Sequence, residues 1–494
     1  MREVDRRVRW AGLGACLLVL ATFAQLNYIQ VFHASALNNN PLNSRSVLEN
    51  YALPRGAIIS ADGATLAQSI PSNDQYKYQR TYPEGALFGQ VTGYDSLIYG
   101  TDGLEREYNS LLTTTSGQGF PKSFAGLERL FTTQPEPDNL HITVLARLQQ
   151  LARQQLAGRY GAVVAVSPST GAVLAMYSNP SYNPTPLASH NVAVEEKAWK
   201  ALNDNPGRPL LAATYRQRFF PGSVFKVITA AAVYTFKPAL ANKDFPTTSG
   251  FVLPGTAGQV LHNFAGEACG GEMLELFTVS CDTGFGQLGL LVGGQDLARE
   301  AKSFGWDQPV PLDMPGTAES YFPPPSSFFR NAGALAKSAI GQESVQAVPL
   351  VMALDAAAVA NKGVIMTPHL MSYVTNGQGQ VVERYKPHPW LHATSAATAA
   401  KLTALMESVV NSPNGTGVAA QVPGIEVAGK TGTAQTGGPD IETWFVAFAP
   451  AQDPKIAVCV LVENQPPADE YQGGTIAAPI AKALIEAYLG VGRG

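Results

Sequence analysis

A serine and a lysine three residues apart are the first pair in this chain that could do chemistry. In "PGSVFK", residues 221 to 226, Pro221 and Gly222 mark a helix start, so Ser223 falls in the first turn and Lys226 lies on the same face, within reach of its hydroxyl. Between Val224 and Val233 Lys226 is the one charged side chain among apolar and small residues, and lysine is rarely buried unpaired. A serine hydroxyl is a poor nucleophile until a base takes its proton, and burial lowers a lysine's pKa toward that of a usable base. The positive end of the helix dipole pushes the same way and favours a developing oxyanion. Alone, the pair also fits a lysine that snorkels to the surface beside an ordinary serine.

Two further clusters weigh against that bland reading. "SCD" (Ser280, Cys281, Asp282) lies between two apolar helices, and "KTGT" (Lys430 to Thr433) lies on a predicted strand. Singly, the first is an ordinary helix cap and the second a strand end. In this order and context the three resemble the S-x-x-K, S-x-N and K-T-G signatures of penicillin-binding proteins and serine β-lactamases. The resemblance covers nearly the whole chain and is strongest to the class B penicillin-binding proteins, the monofunctional peptidoglycan transpeptidases, and among them to short actinobacterial members. It is carried by "RGAIISADG" (55 to 63), "RTYPEGALFGQVTGY" (80 to 94), "GLEREY" (103 to 108), "SPSTGAVLAMYSNPSYNP" (167 to 184), "SAIGQ" (338 to 342), "AGKTGTA" (428 to 434) and "WFVAFAP" (444 to 450). Two positions depart from the family pattern: Asp282 stands where Asn is usual, and Glu343 follows "IGQ" where Gly is usual.

The chemistry that the resemblance implies can be assigned residue by residue. Ser223 attacks a peptide carbonyl, Lys226 takes its proton, and Ser280 relays a proton to the leaving amine. Asp282 belongs to the same group, but an ionised carboxylate only accepts hydrogen bonds, so the roles of an amide do not carry over. Lys430 supplies a cation for a substrate carboxylate, and Thr431 and Thr433 supply hydroxyls. Gly432 leaves the strand bare for substrate. The backbone N–H groups of Ser223 and Thr433 would form the oxyanion hole. The implied enzyme is a D-alanyl-D-alanine transpeptidase that takes peptidoglycan stem peptides, is acylated by β-lactam antibiotics, and serves cell-wall synthesis, in division or in cell shape. A carboxypeptidase or β-lactamase-like hydrolase and a non-turnover β-lactam sensor or scaffold are the alternatives. By the same resemblance, the partners are a SEDS-family glycosyltransferase and other division or wall proteins. No cofactor is expected. None of the seven histidines recurs at ligand spacing and the four cysteines are scattered, so no metal site is expected.

The elements that must position these residues are legible too. Arg2, Arg6, Arg7 and Arg9 precede an apolar run from Trp10 to Ala24 that continues to Phe32, long enough to span a bilayer with the catalytic part outside the cytoplasm. Two rivals are a cleaved signal peptide ending at "ASA" (34 to 36) and a lipoprotein-like "LGAC" at Cys16. The first lies beyond the apolar run and the second in its middle. The expected organisation is a cytoplasmic N-terminus (1–9), a single-pass cell-membrane anchor (10–32), a small, irregular, β-rich pedestal or dimerisation-like domain (33–140) entered through the polar linker 35–44, and a transpeptidase domain (141–494). That domain opens with an amphipathic helix, Leu145 to Ala157, and two apolar strands. Apolar helices follow near 223–234, 283–292 and 346–361, the last with Gly363 as C-cap. Three strands in an antiparallel meander and a final helix close the chain. The fold class is α+β, an antiparallel sheet with packed helices. A net charge of −4 gives no basic field, which excludes nucleic acid as a partner on electrostatic grounds.

Of the cysteines, Cys16 falls in the anchor and Cys459 reads as a buried strand residue. Cys269 and Cys281 are expected to form a disulfide, since extracytoplasmic thiols tend to pair. A helix over Glu272–Val279 would rise about 12 Å between them. The chain before it must therefore fold back, which Gly270 and Gly271 permit.

Overall fold

The computed structural model describes residues 2–29, 51–113, 137–466 and 472–491. The expected linker at 35–44 and the last residues of the expected anchor lie outside them. Helix Arg2–Tyr28 contains, in Val8–Tyr28, a segment long and apolar enough to cross a membrane.

The part of the chain from about residue 141 onward is organised by one five-stranded antiparallel sheet in the order Ala428–Gln435, Ile441–Ala449, Ile456–Gln465, Gly161–Val166, Val173–Asn179. The strands read as near-continuous apolar runs because most of their residues are buried, as in sheets covered on both faces. Helix Pro349–Ala360 packs on the three inner strands, and helices Ala478–Leu489 and Ala146–Leu156 pack on each other and on the sheet. Cys459 is fully buried in its strand. Helix Pro349–Ala360 ends at Asn361, and Gly363 (φ +90°) closes the turn after it by donating to the Ala358 carbonyl, so it is not the cap itself. The helix Lys226–Phe236 that follows the candidate nucleophile is buried on nearly every side and packs on helices Asp282–Val292, Gly294–Ser303 and Ala396–Asn411.

A second sheet of six strands joins segments that the sequence assigns to different domains. The edge strand Val381–Arg384 pairs with Met371–Thr375, which pairs with Asn139–Ile142, and the sheet continues through Ile58–Ile59 and Thr65–Pro71 to Tyr78–Thr81. Beside it, three of the family-like stretches meet in one buried ion cluster. The Glu105 carboxylate lies 2.8 Å from Arg55 Nη2 and 2.6 Å from Arg80 Nε. Burial alone would raise the Glu105 pKa, but the two guanidiniums hold it below the ordinary range. Removing one partner would strand a buried charge, which explains why these residues belong to a structural unit rather than to the chemistry.

Candidate active site

Three segments converge on one cleft: the turn carrying Ser223, the loop carrying Ser280, and the strand carrying Lys430. Ser223 sits in a 3₁₀ turn, Gly222–Phe225, and the α-helix begins only at Lys226, a correction to its expected place in the first α-helical turn. The chain into this turn is held on all sides. Phe219 and Ala347 exchange backbone hydrogen bonds, Gly222 N–H donates to the Gly341 carbonyl at 3.0 Å, and Phe220 N–H donates to Glu442 Oε2 at 2.8 Å. The Trp444 indole N–H donates to the Phe220 carbonyl at 2.8 Å. Turn and strand interlock through two glycines. A Cβ on Gly222 (φ +53°) would come within 2.6 Å of the Thr433 carbonyl oxygen, and one on Gly432 within 2.8 Å of the Pro221 carbonyl oxygen. The bareness of Gly432 therefore serves the approach of the Ser223 turn as well as the cleft it lines, and this interlock brings Ser223 and Thr433 together.

The Ser280 loop is braced by a disulfide between Cys269 and Cys281, with Cα atoms 5.8 Å apart. Gly271 (φ +100°) makes the reversal before helix Met273–Thr278, whose N-terminus is closed by a capping box between Glu272 and Glu275. Ser280 itself has φ +58°, a conformation that costs a non-glycine residue about 1 kcal/mol or more and persists only where the surroundings impose it. Cys281 N–H donates to the Leu276 carbonyl at 2.8 Å, which fixes the loop on its other side. Glu343 also has a positive φ, +66°, the backbone reason that a glycine suits this position.

Ser280 Oγ lies between two buried lysines. Lys226 Nζ donates to it at 3.2 Å and Lys430 Nζ at 2.7 Å, so the hydroxyl's own hydrogen is left to donate elsewhere. Lys226 Nζ also donates to the Ser280 carbonyl and to Asp282 Oδ1, both at 2.7 Å. Among the described residues Ser223 Oγ makes no hydrogen bond, so the reach expected between Ser223 and Lys226 is not realised as one here. Unliganded catalytic hydrogen bonds are commonly long until substrate binds. Burial pushes the Lys226 pKa down and Asp282 pulls it back up. Burial and the neighbouring Lys226 charge push Lys430 well below the usual lysine value, with Asp282 opposing. With three acceptors around it Lys226 is saturated as a cation, and Asp282 is the acceptor that most favours that state. Asp282→Asn is accordingly expected to keep or raise the acylation rate. A loss beyond about tenfold, 1.4 kcal/mol, would give the carboxylate a catalytic role of its own.

A cleft of about 410 Å³ is lined by Ser223, Ser280, Asp282 and Thr431 to Thr433, together with Thr416 and Gln472 to Gly474. Thr416 and Thr431 hydroxyls are 2.6 Å apart. Lys430 is not among the lining residues; it stands behind them, fully buried, and bears on the cleft through Ser280. A second cleft, about 300 Å³, shares Ser223, Asp282, Thr433, Phe264 and Ala265 with the first and runs along Asn263, Ile340, Gln342 and Gln435.

Sequence reasoning missed Thr416, Phe264, Gln472 to Gly474 and Glu442, because none lies in a motif and each arrives from a distant segment. The one local signal was "GG" at 473–474 before the last helix, where a Cβ on Gly473 would strike the Trp444 carbonyl oxygen at 2.3 Å. Glu442 is mostly buried, and burial with the nearby Glu463 raises its pKa to about 8; burial raises Glu463 to about 7 against the pull of Arg208. Both carboxyls thus hold protons in the folded state that the unfolded chain releases near pH 4.3, the usual glutamate value of about that size. Folding stability should fall as pH rises through roughly 5 to 8. In Glu442→Gln, whose amide oxygen still accepts from Phe220 N–H, that slope is expected to flatten, with a gain at pH 8 on the order of 1–3 kcal/mol. Denaturant midpoints across this pH range test it, and parallel curves for the two proteins would reject it.

The chain as a whole has known relatives. The family model described as the penicillin binding protein transpeptidase domain matches residues 161–486, and that of the penicillin binding protein A dimerisation domain matches 55–136. The chain is 38% identical to the peptidoglycan D,D-transpeptidase PbpA of Mycobacterium tuberculosis, with 98% of this chain and 99% of the relative aligned. It is 36% identical to PbpA of Mycolicibacterium smegmatis over the same shares of the two chains. A ceftriaxone acyl-enzyme complex of penicillin-binding protein A from M. tuberculosis superposes with a TM-score of 0.81 at 36% identity, covering 90% of this chain and all of that one.

Proposed function

The chain belongs to the class B penicillin-binding protein transpeptidases, and from that premise we propose the residue roles by which it cross-links peptidoglycan stem peptides. The observation that carries them is the position of Ser280 Oγ within hydrogen-bond distance of both Lys226 and Lys430 while it lines the cleft with Ser223. Ser223 Oγ attacks the carbonyl between the two terminal D-alanines, and a neutral Lys226 takes its proton. The oxyanion is held by the backbone N–H groups of Ser223 and Thr433. As the C–N bond breaks, Ser280 gives its hydrogen to the leaving amine and is reprotonated from the lysines behind it. The terminal carboxylate docks on the hydroxyls of Thr431, Thr433 and Thr416, with Lys430 contributing its field from behind. An amine of a second stem then attacks the acyl carbon, the C–O bond to Ser223 breaks, and the amine's proton returns to Ser223 through Ser280 and Lys226. A β-lactam enters the same path, because it offers an acyl group and a carboxylate in one molecule.

The catalytic unit is residues 141–494, standing on the sheet it shares with the 33–140 unit. We assign 1–9 to the cytoplasm and 10–32 to a single membrane crossing, with the catalytic part outside, on the arginines that precede the apolar helix. The anchor and the first domain are the surfaces assigned to a SEDS-family glycosyltransferase and to other division or wall proteins.

Turnover of a D-Ala-D-Ala-like thioester in the presence of an acceptor amine tests the reading. The aminolysis product is expected to exceed the hydrolysis product. Hydrolysis alone would make the chain a carboxypeptidase, and an acyl-enzyme that never turns over would make it a sensor.

A further inference from the structure

We propose that the cleft beyond Ser280 is the subsite of the acyl acceptor, a second stem peptide presenting an amine on an alkyl side chain. This rests on the transpeptidase reading and adds where the second substrate lies.

A cleft of about 480 Å³ opens beside the catalytic one, bounded by helix Met273–Thr278, the short strand Cys269–Gly271 and the chain at 412–414. It shares Phe264, Glu267, Val279 and Ser280 with the catalytic cleft but not Ser223. The order of bond changes decides how it is used. In the first half-reaction the carboxylate belongs to the leaving D-alanine, and the hydroxyls assigned to hold it, those of Thr431, Thr433 and Thr416, line the 410 Å³ cleft. The leaving amine therefore departs into that cleft. The second half-reaction is the same acyl transfer in the opposite direction, so the attacking nitrogen must occupy the place the leaving nitrogen vacated, with the same Ser280 to take its proton. The acyl chain itself holds the 300 Å³ cleft on the other side of Ser223, leaving the acceptor to extend past Ser280.

The lining suits such a substrate. Phe264, Leu274 and Val279 are 43%, 49% and 37% exposed, a cluster of apolar surface that would gain from covering an alkyl chain. Glu267 stands where the two clefts join and makes no ion pair among the described residues, whereas Glu275 is committed to the cap of its helix. A free carboxylate at this junction draws in an ammonium. Deeper in, the buried lysines disfavour a further cation, so the ammonium gives one proton to solvent before it nears the acyl carbon. Its nitrogen then bonds to that carbon, the C–O bond to Ser223 breaks, and Ser223 regains a proton through Ser280.

The test uses the full chain, a D-Ala-D-Ala-like thioester donor, and two acceptors. D-alanine fills only the catalytic cleft; a synthetic stem tetrapeptide with a free side-chain amine needs the adjoining one. Leu274→Arg places a long cation in the outer cleft, and Ser412→Trp narrows it from the opposite wall. Both are expected to lower the ratio of aminolysis to hydrolysis with the tetrapeptide at least tenfold, leaving the ratio with D-alanine and the rate of penicillin acylation within twofold. Tetrapeptide ratios within twofold of the unsubstituted protein in both variants would overturn the proposal. No aminolysis of either acceptor by the unsubstituted protein would instead remove the transpeptidase reading on which it rests.

Discussion

Lys226→Met is expected to slow acylation by penicillin at least about 10³-fold, some 4 kcal/mol, with the rate read as label incorporated per unit time. Methionine keeps the unbranched shape of the side chain, one atom shorter, in a helix buried on nearly every side, but has no nitrogen to receive the Ser223 proton. The substitution also leaves Asp282 without the cation 2.7 Å from it, so a drop in stability accompanies the kinetic loss and has to be separated from it. Lys226→Arg makes that separation. A guanidinium still faces Asp282 and keeps the charge balance, yet it cannot give up its proton, so the rate should be lost while much of the stability is kept. The pH dependence has a fixed sign. Burial lowers the Lys226 pKa and Asp282 partly restores it, so the neutral, basic form grows as pH rises. Acylation of the unsubstituted protein should climb with pH until that pKa is passed, and the residual rate of the methionine variant should lack this limb. Acylation by Lys226→Met within tenfold of the unsubstituted rate would remove the lysine from the role of base.

The parts of the site that were readable in the sequence are those where one residue type is hard to explain locally. Lys226 among apolar residues, the glycine inside "KTGT" and two cysteines around a short helix each demanded a cause, and the structure supplies one: the Ser280–Asp282 loop, the carbonyl of Pro221, and a reversal at Gly271. The strands were readable because burial on both faces makes them continuous apolar runs, and the meander because its connections are short. What stayed hidden depends on contacts between distant segments. Glu442 sits between Ile441 and Thr443 in a mostly apolar strand, and nothing in "IETWF" says that its carboxylate takes the Phe220 N–H. Nor does "HNFAG" tell that Phe264 lines all three of the clefts described above. The strands 371–375 and 381–384 fall in the expected catalytic domain because they follow its helices in the chain; 371–375 pairs with Asn139–Ile142, and so joins the sheet of the N-terminal segments, while 381–384 pairs with 371–375 at the edge. The place of Lys430 was half legible. Its strand and its charge were expected, but its burial behind Ser280, out of the cleft, follows from how the loop packs over it.

The proposed acyl transfer passes through a covalent bond to one oxygen. Ser223 Oγ is the proposed nucleophile, carried on the turn held by Glu442, Trp444 and Gly341, and Ser223 lines both the 410 Å³ and the 300 Å³ cleft. A β-lactam opens on this oxygen without releasing its amine, since the nitrogen stays tethered to the acyl group, and the adduct therefore persists long enough to be mapped. The deciding measurement is intact-mass and peptide mapping of the chain after reaction with labelled penicillin, alongside Ser223→Ala. One label per chain is expected, on the peptide containing Ser223, with none in the alanine variant. A label that survives in Ser223→Ala, or that maps to Ser280, would contradict the account.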